Sequence, residues 1–356
     1  MHIAAAPESH DPRARALSSR RWVLVALSFA GAIAVTAWLL FTGWARGGGA
    51  PPPIPFSAHL AALTAVLAEI LTRSFKIQWS AAALRVRLSL ATSLRVCLGG
   101  DFAASITPSR SGAEPARFFV LAETGVQPAS ILLVLFMELF LEMTSLGALS
   151  VILAMVFEGS GTVVTLMTGM VGGYAAVVLA LGAFGYVLAH RNAHGPPPAW
   201  ARSVGLHAGR WRGIQLSLRS LHSGIAALRH ARVIPMLCAF AASMVHVSLR
   251  LVVLPVIALS MTPGLPLAKL VLWPLVFLYG SAVAPAPGGG GVVEYGFNLA
   301  FTDVLSPAVL GTALVWWRFY TFYLYVALGS LAAGGTVLRA LRRGPERHVR
   351  RARRTA

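Results

Sequence analysis

Residues 285–298 read PAPGGGGVVEYGFN. They interrupt an apolar run that begins with LAKLVLWPLVFLYGSAVA at 267–284 and resumes by Phe301. Four consecutive glycines, two prolines and Glu294 stand where a membrane-spanning helix would otherwise continue. A broken helix leaves peptide groups without intrahelical partners, and hydrocarbon supplies none. Non-helical backbone at membrane depth is confined to places buried in protein or lining a polar cavity. In transporters such interruptions point to the binding site. The fold is therefore expected to enclose this stretch between helices.

A second interruption, ITPSRSGAEPAR at 106–117, lies in the first half of the chain. Around these two breaks the sequence is that of a membrane protein. Of 356 residues, 56% are hydrophobic and 12% charged, with a mean hydropathy of +0.70. Six segments, 22–42, 54–72, 129–157, 163–189, 233–260 and 307–337, read as full spans of the roughly 20 residues a bilayer needs. Two more, 84–126 and 266–304, are apolar but broken near 101–117 and 284–298. The first span, RWVLVALSFAGAIAVTAWLLF, is longer than a signal-peptide core, and ARGGGAPPP after it is a poor cleavage site, so it is expected to be retained. The predicted fold class is all-α and polytopic: about six spans and two re-entrant hairpins in one domain, 22–338, between a basic N-terminus, 1–21, and a basic tail, 339–356.

Basic residues orient the chain. Stretches rich in Arg and Lys stay in the cytoplasm. Residues 1–21 carry four, 73–127 seven, 190–232 seven and 339–356 eight, so 26 of the 30 lie on one side or enter from it if both termini are cytoplasmic. With that orientation, 84–126 must dip in and return from the cytoplasmic face, and 266–304 must do so from the opposite face. The net charge of +18 does not imply nucleic acid, because the arginines flank spans instead of forming one face. The connector 190–232 carries Trp211, Ile214, Leu218, Leu221, Ile225 and Leu228 at helical spacing with arginines elsewhere. It reads as an amphipathic linker or a surface helix on anionic headgroups.

The two broken segments match internally. Glu114 is followed by Pro128 after fourteen residues and Glu138 after twenty-four; Glu294 is followed by Pro307 after thirteen and Arg318 after twenty-four. Inverted repeats with a site between the halves are a recurrent transporter plan.

Charged residues within or beside spans are site candidates by default. Arg110, Glu114 and Arg117 surround the first break; the arginines suit phosphate, and the set could equally be an ion-pair cluster that closes the hairpin. Glu294 is either a first-turn carboxylate favoured by the helix dipole or a contact for a headgroup amine, a proton or an arginine. Gly289 and Gly290 are expected to let backbone approach a headgroup. Glu138 and Glu142, four residues apart on one helix face, suit an ion pair with Arg110, Arg117 or Arg318, or a proton relay. Arg250 and Arg318 sit inside apolar spans, where they require partners. His246 reads as a packing histidine, and Trp316, Trp317, Tyr320, Tyr323 and Tyr325 as packing or interfacial aromatics. Gly169 and Gly173 form a G-x-x-x-G pair suited to close helix packing or a homodimer face. Cys97 and Cys238, the two cysteines, form no metal or disulfide pattern. No HExxH, GxSxG or P-loop occurs, so neither a metal nor another cofactor is expected.

At both breaks the chain resembles the membrane domain of lysylphosphatidylglycerol synthases and their stand-alone, flippase-like relatives. The residues that carry the resemblance are Pro108, Ser109, Arg110, Gly112, Glu114, Pro115 and Arg117, then Pro285, Pro287, Gly288 to Gly291 and Glu294. Ala113 stands where the family has a second glycine. No segment of the sequence reads as the soluble aminoacyl-transfer domain of the full-length synthases, so lysine transfer is not expected. The resemblance implies a bundle of the lipid-translocase kind in a bacterial inner membrane, with a phospholipid or lipid-linked substrate in a polar cavity. The alternative is an intramembrane lipid-modifying enzyme, or a non-catalytic accessory subunit of one.

Overall fold

The computed structural model of the chain describes residues 52–157, 161–191, 231–281, 284 and 286–343, with seven isolated positions elsewhere. The first expected span, 22–42, and most of the N-terminus, connector and tail lie outside the described residues.

Among the described residues, ten α-helices follow one another: α1 Phe56–Ala83, α2 Leu90–Ile106, α3 Ala113–Ala122, α4 Pro128–Val156, α5 Gly161–Arg191, α6 Val233–Met261, α7 Leu267–Gly280, α8 Val292–Phe301, α9 Pro307–Arg318 and α10 Leu324–Arg343. No strand occurs among them. Local sequence accounts for several boundaries. Ser89 caps α2 by accepting from the Thr92 N–H at 3.1 Å. Pro128 and Pro307 open α4 and α9, where the missing N–H is no loss. A single π turn, Phe319–Tyr323, joins α9 to α10 without a loop, so these two form one long rod.

The polarity of the molecule is reversed relative to a soluble protein. Met155, Phe184, Ile234 and Leu331 are exposed, whereas Glu69, Lys76, Glu138 and Glu294 have no exposed surface. Apolar side chains outside and charges inside are what a hydrocarbon solvent selects. Pro128–Val156, Val164–Phe184 and Val233–Met261 are long and apolar enough to cross a membrane on length and composition alone. The protein is an all-α polytopic membrane protein.

One expected boundary needs correction. The hydropathy pattern ends the second span at residue 72 and assigns Arg73 and Lys76 to a cytoplasmic loop. Both lie instead on α1, which continues to Ala83, and both are buried. The helix runs on through two cations because carboxylates from three helices receive them, as described below.

The halves repeat. In each, a long helix (α1, α6) precedes a helix–break–helix unit (α2–α3, α7–α8) and then a helix begun by proline. Both breaks contain a 3₁₀ turn, Pro108–Arg110 and Pro287–Gly289, followed by a ten-residue helix with a glutamate in its first turn. Within each turn two consecutive residues have left-handed backbone: Ser109 (φ 51°) and Arg110 (φ 55°), then Gly288 (φ 61°) and Gly289 (φ 70°). Gly290, with φ −54°, has an ordinary conformation. Helices α1 and α6 pack tightly along each other through Ala62, Val66 and Ile70 against Val253, Leu254 and Ile257. The two breaks meet: the Ser109 N–H and the Ser109 hydroxyl both donate to the Ala284 carbonyl at 3.2 Å.

Candidate functional site

Six of the chain's twelve acidic residues, Glu69, Asp101, Glu114, Glu138, Glu142 and Glu294, converge on this junction. Helix α1 supplies the centre. Glu69, Arg73 and Lys76 are spaced four and three residues apart, which places them on one face. Arg73 makes a bidentate pair with Asp101 of α2, Nη1 to Oδ1 at 3.0 Å and Nη2 to Oδ2 at 2.5 Å, and its Nε lies 3.3 Å from Glu69. Glu69 also accepts from the Tyr325 hydroxyl at 2.6 Å and lies 3.5 Å from Nδ1 of His246. Lys76 bridges Glu138 at 2.6 Å and Glu142 at 2.5 Å, and Tyr279 donates to Glu142 at 3.4 Å.

The first break delivers Arg117 and Arg110 to the same region. Arg117 reaches Glu138 at 2.9 Å and Glu114 at 3.0 Å. Its course along α2 depends on Gly100, because a Cβ there would come 2.6 Å from its Nε. Arg110 is paired far more loosely, 3.9 Å from Asp101, and is 30% exposed. Pro108 and Ser109 are exposed too, so this tip is open. Left-handed backbone at a serine and an arginine costs roughly 1–2 kcal/mol per residue, and such strain concentrates at functional sites.

The second break is closed. Pro287, Gly288 and Gly289 are buried. Glu294 has no exposed surface; its Oε2 accepts from the Gly291 N–H at 2.7 Å and its Oε1 lies 2.7 Å from Nε of Arg318. Arg318 also donates to the Gly288 carbonyl at 3.4 and 3.5 Å and lies over the Phe322 ring at 4.5 Å. Glu294 is thus a helix-capping carboxylate and an arginine partner at once. Gly289 needs its left-handed backbone, and a Cβ would meet Ser281 at 2.8 Å, whereas the φ of Gly290, −54°, is open to any residue.

Of the three arginines expected for Glu138, Arg117 pairs with it, and the arginine expected for Glu294 is Arg318. Glu138 and Arg318 hold matching places in the repeat but do not pair with each other. Each pairs inside its own half, Glu138 with Arg117 and Arg318 with Glu294, and the signs are exchanged between halves. Among the described residues Arg250 has no carboxylate within 4.0 Å; its guanidinium lies 5.1 Å from the Tyr325 ring centroid, and Arg73 is 5.5 Å from the same ring. His246 is part of the charged core and not only a packing residue, and its Nε2 has no hydrogen-bond partner among the described residues. Sequence reasoning missed Glu69, Arg73, Lys76, Asp101 and Tyr279. The helical spacing of 69, 73 and 76 was a usable signal, hidden by assigning the last two to a loop.

No group of three or more His, Cys, Asp or Glu residues able to hold a metal occurs among the described residues. A comparison with curated proteins returns no match. The family model of the lysylphosphatidylglycerol synthase TM region matches residues 17–329, which takes in both breaks and every charged group described above. The chain belongs to this membrane family of lipid metabolism.

Proposed function

We propose that the protein translocates a phospholipid or lipid-linked headgroup past the junction of its two breaks, in the bacterial inner membrane with both termini cytoplasmic. The α2–α3 and α7–α8 units act as re-entrant hairpins from opposite faces. The observation that carries this reading is the tip-to-tip contact of Ser109 with Ala284 beside a buried charged core, one tip exposed and the other sealed. A headgroup crossing a bilayer needs an interior route where polar groups replace water, and inverted-repeat transporters carry such a route between their halves. Arg110 takes the phosphate first, since it is the partly exposed and loosely paired arginine of the break. The family supports a role in lipid metabolism or transport.

Reconstitution tests this. Liposomes containing the purified protein should make a fluorescent phospholipid of the inner leaflet accessible to an impermeant quencher faster than protein-free liposomes do. Unchanged accessibility, with a lipid product of new mass, would replace translocation by an enzymatic role.

A further inference from the structure

His246 sits midway along α6, Val233–Met261, and is 1% exposed. Neither of its ring nitrogens makes a hydrogen bond among the described residues. A neutral imidazole carries one N–H and one acceptor nitrogen, so this ring leaves a buried donor and a buried acceptor unused, which is unfavourable. The carboxylate beside it is in the same condition. Oε1 of Glu69 lies 3.5 Å from Nδ1 of His246, is buried, and takes no hydrogen bond. Tyr325 donates to the other oxygen, and Nε of Arg73 stands 3.3 Å from Oε1. A ring that only filled space would leave these groups idle. A second proton gives them a use: the imidazolium donates from both nitrogens, and Nδ1–H meets Glu69 in a charge-assisted bond.

The helices packed on α6 surround the ring with charges of both signs. Helix α1 brings Glu69 and, on the same face, Arg73 and Lys76; α4 brings Glu142, which Lys76 holds at 2.5 Å. Arg250 lies one turn on along α6 itself, with its guanidinium over Tyr325 of α10. Helix α7 brings Tyr279, bonded to Glu142, and α9 brings Arg318, which is committed to Glu294. Histidine is the side chain whose ordinary range allows it to gain and lose a proton near neutral pH, and ionisable residues inside membrane bundles form the proton relays of pumps and transporters.

We propose that His246 takes up a proton from one face of the membrane and releases it to the other in each cycle, so that the proton gradient drives translocation. The ring passes from imidazole to imidazolium and back, and no other bond changes. The link to the first hairpin runs through printed contacts. With His246 charged, Glu69 gains a counter-ion on α6 and depends less on Arg73, and Arg73 is the residue that grips Asp101 of α2. The proton site stands on its own geometry; the work it drives rests on the translocation reading.

Two measurements on the full chain test this. In nanodiscs, with histidine ring nitrogens isotopically labelled for NMR, the resonance lost in His246→Gln should pass from neutral to doubly protonated as the pH falls from about 8 to about 5. Glu69→Gln removes the anion that favours the charged ring, so it should move that transition to lower pH. A ring that keeps one protonation state across the range, or a transition unmoved by Glu69→Gln, overturns the site. The second measurement needs no variant. In wild-type liposomes with the membrane potential clamped, a gradient of about one pH unit should enrich a fluorescent phospholipid in one leaflet by up to about tenfold over protein-free liposomes, the limit for one proton per lipid. His246→Gln should lose that enrichment. Equal leaflets under the gradient, in wild-type liposomes that do move lipid, overturn the coupling even if the variants fail to fold. A His246 that titrates as described in a protein that moves no lipid leaves the proton site standing and rejects translocation alone.

Discussion

Lys76→Met removes the cation that holds α1 to α4. Lys76 has no exposed surface and its Nζ sits 2.6 Å from Glu138 and 2.5 Å from Glu142. Methionine fills similar volume, so the loss is electrostatic and not a cavity. Glu138 keeps Arg117 as a partner, but Glu142 is left with only the long bond from Tyr279. Stranding a buried charge by removing its partner costs about 3–5 kcal/mol. The variant should therefore unfold at markedly lower denaturant in a detergent-solubilised titration. Glu142→Gln added to Lys76→Met removes the stranded charge, so the double variant should be more stable than the two single losses predict, by about 1–3 kcal/mol of coupling. Strictly additive losses, or a Lys76→Met protein as stable as the wild type, would refute the network as the support of α1 within the core.

Gly288→Ala should destabilise strongly, since its φ of 61° disfavours a side chain and the added Cβ would lie 2.2 Å from the Phe322 ring, whereas Gly290→Ala, at an ordinary φ of −54°, should carry no backbone strain and lose less in the same unfolding titration. Glu294→Gln should cost about 3–5 kcal/mol by leaving the buried Arg318 without its counter-charge, and Glu294→Gln with Arg318→Gln should recover part of that loss. In the turn between α8 and α9, hydrogen bonding from Lys269 holds the exposed Asp303 carboxyl below its ordinary range. A carboxylate whose pKa is lowered by folding adds stability above its unfolded pKa of about 3.9 and loses it as the pH falls through the folded value. Lys269→Met should flatten the stability–pH curve below about pH 4 and leave the shape of that curve near neutrality unchanged.

The breaks were legible because a helix facing lipid has no use for clustered glycine, proline and charge, and their matching offsets to Pro128 and Pro307 anticipated two structural units of the same plan. The helical class followed from spans of sufficient length. What the sequence concealed was partnership. Counting Arg73 and Lys76 as loop residues is reasonable where isolated cations mark the membrane surface, but it fails when acids from distant segments receive them. Asp101 and Glu138, which do so, are separated from α1 by a turn and, for Glu138, by a break as well. The capping role of Glu294 could be read from the glycines before it, yet its pairing with Arg318 depends on how α8 meets α9. Ser109 and Ala284 carry no chemical signal of their meeting, because the contact is made by backbone and by a hydroxyl that any surface serine could offer.

On the proposed function, the meeting of the two tips is the barrier a headgroup must cross. Ser109→Cys with Ala284→Cys, in a chain whose Cys97 and Cys238 are replaced by serine, places two thiols where the tips touch. Lipid translocation in liposomes should stop on oxidation and return on reduction, while each single-cysteine protein stays active throughout. Equal translocation in the cross-linked and reduced states would contradict passage between the two breaks.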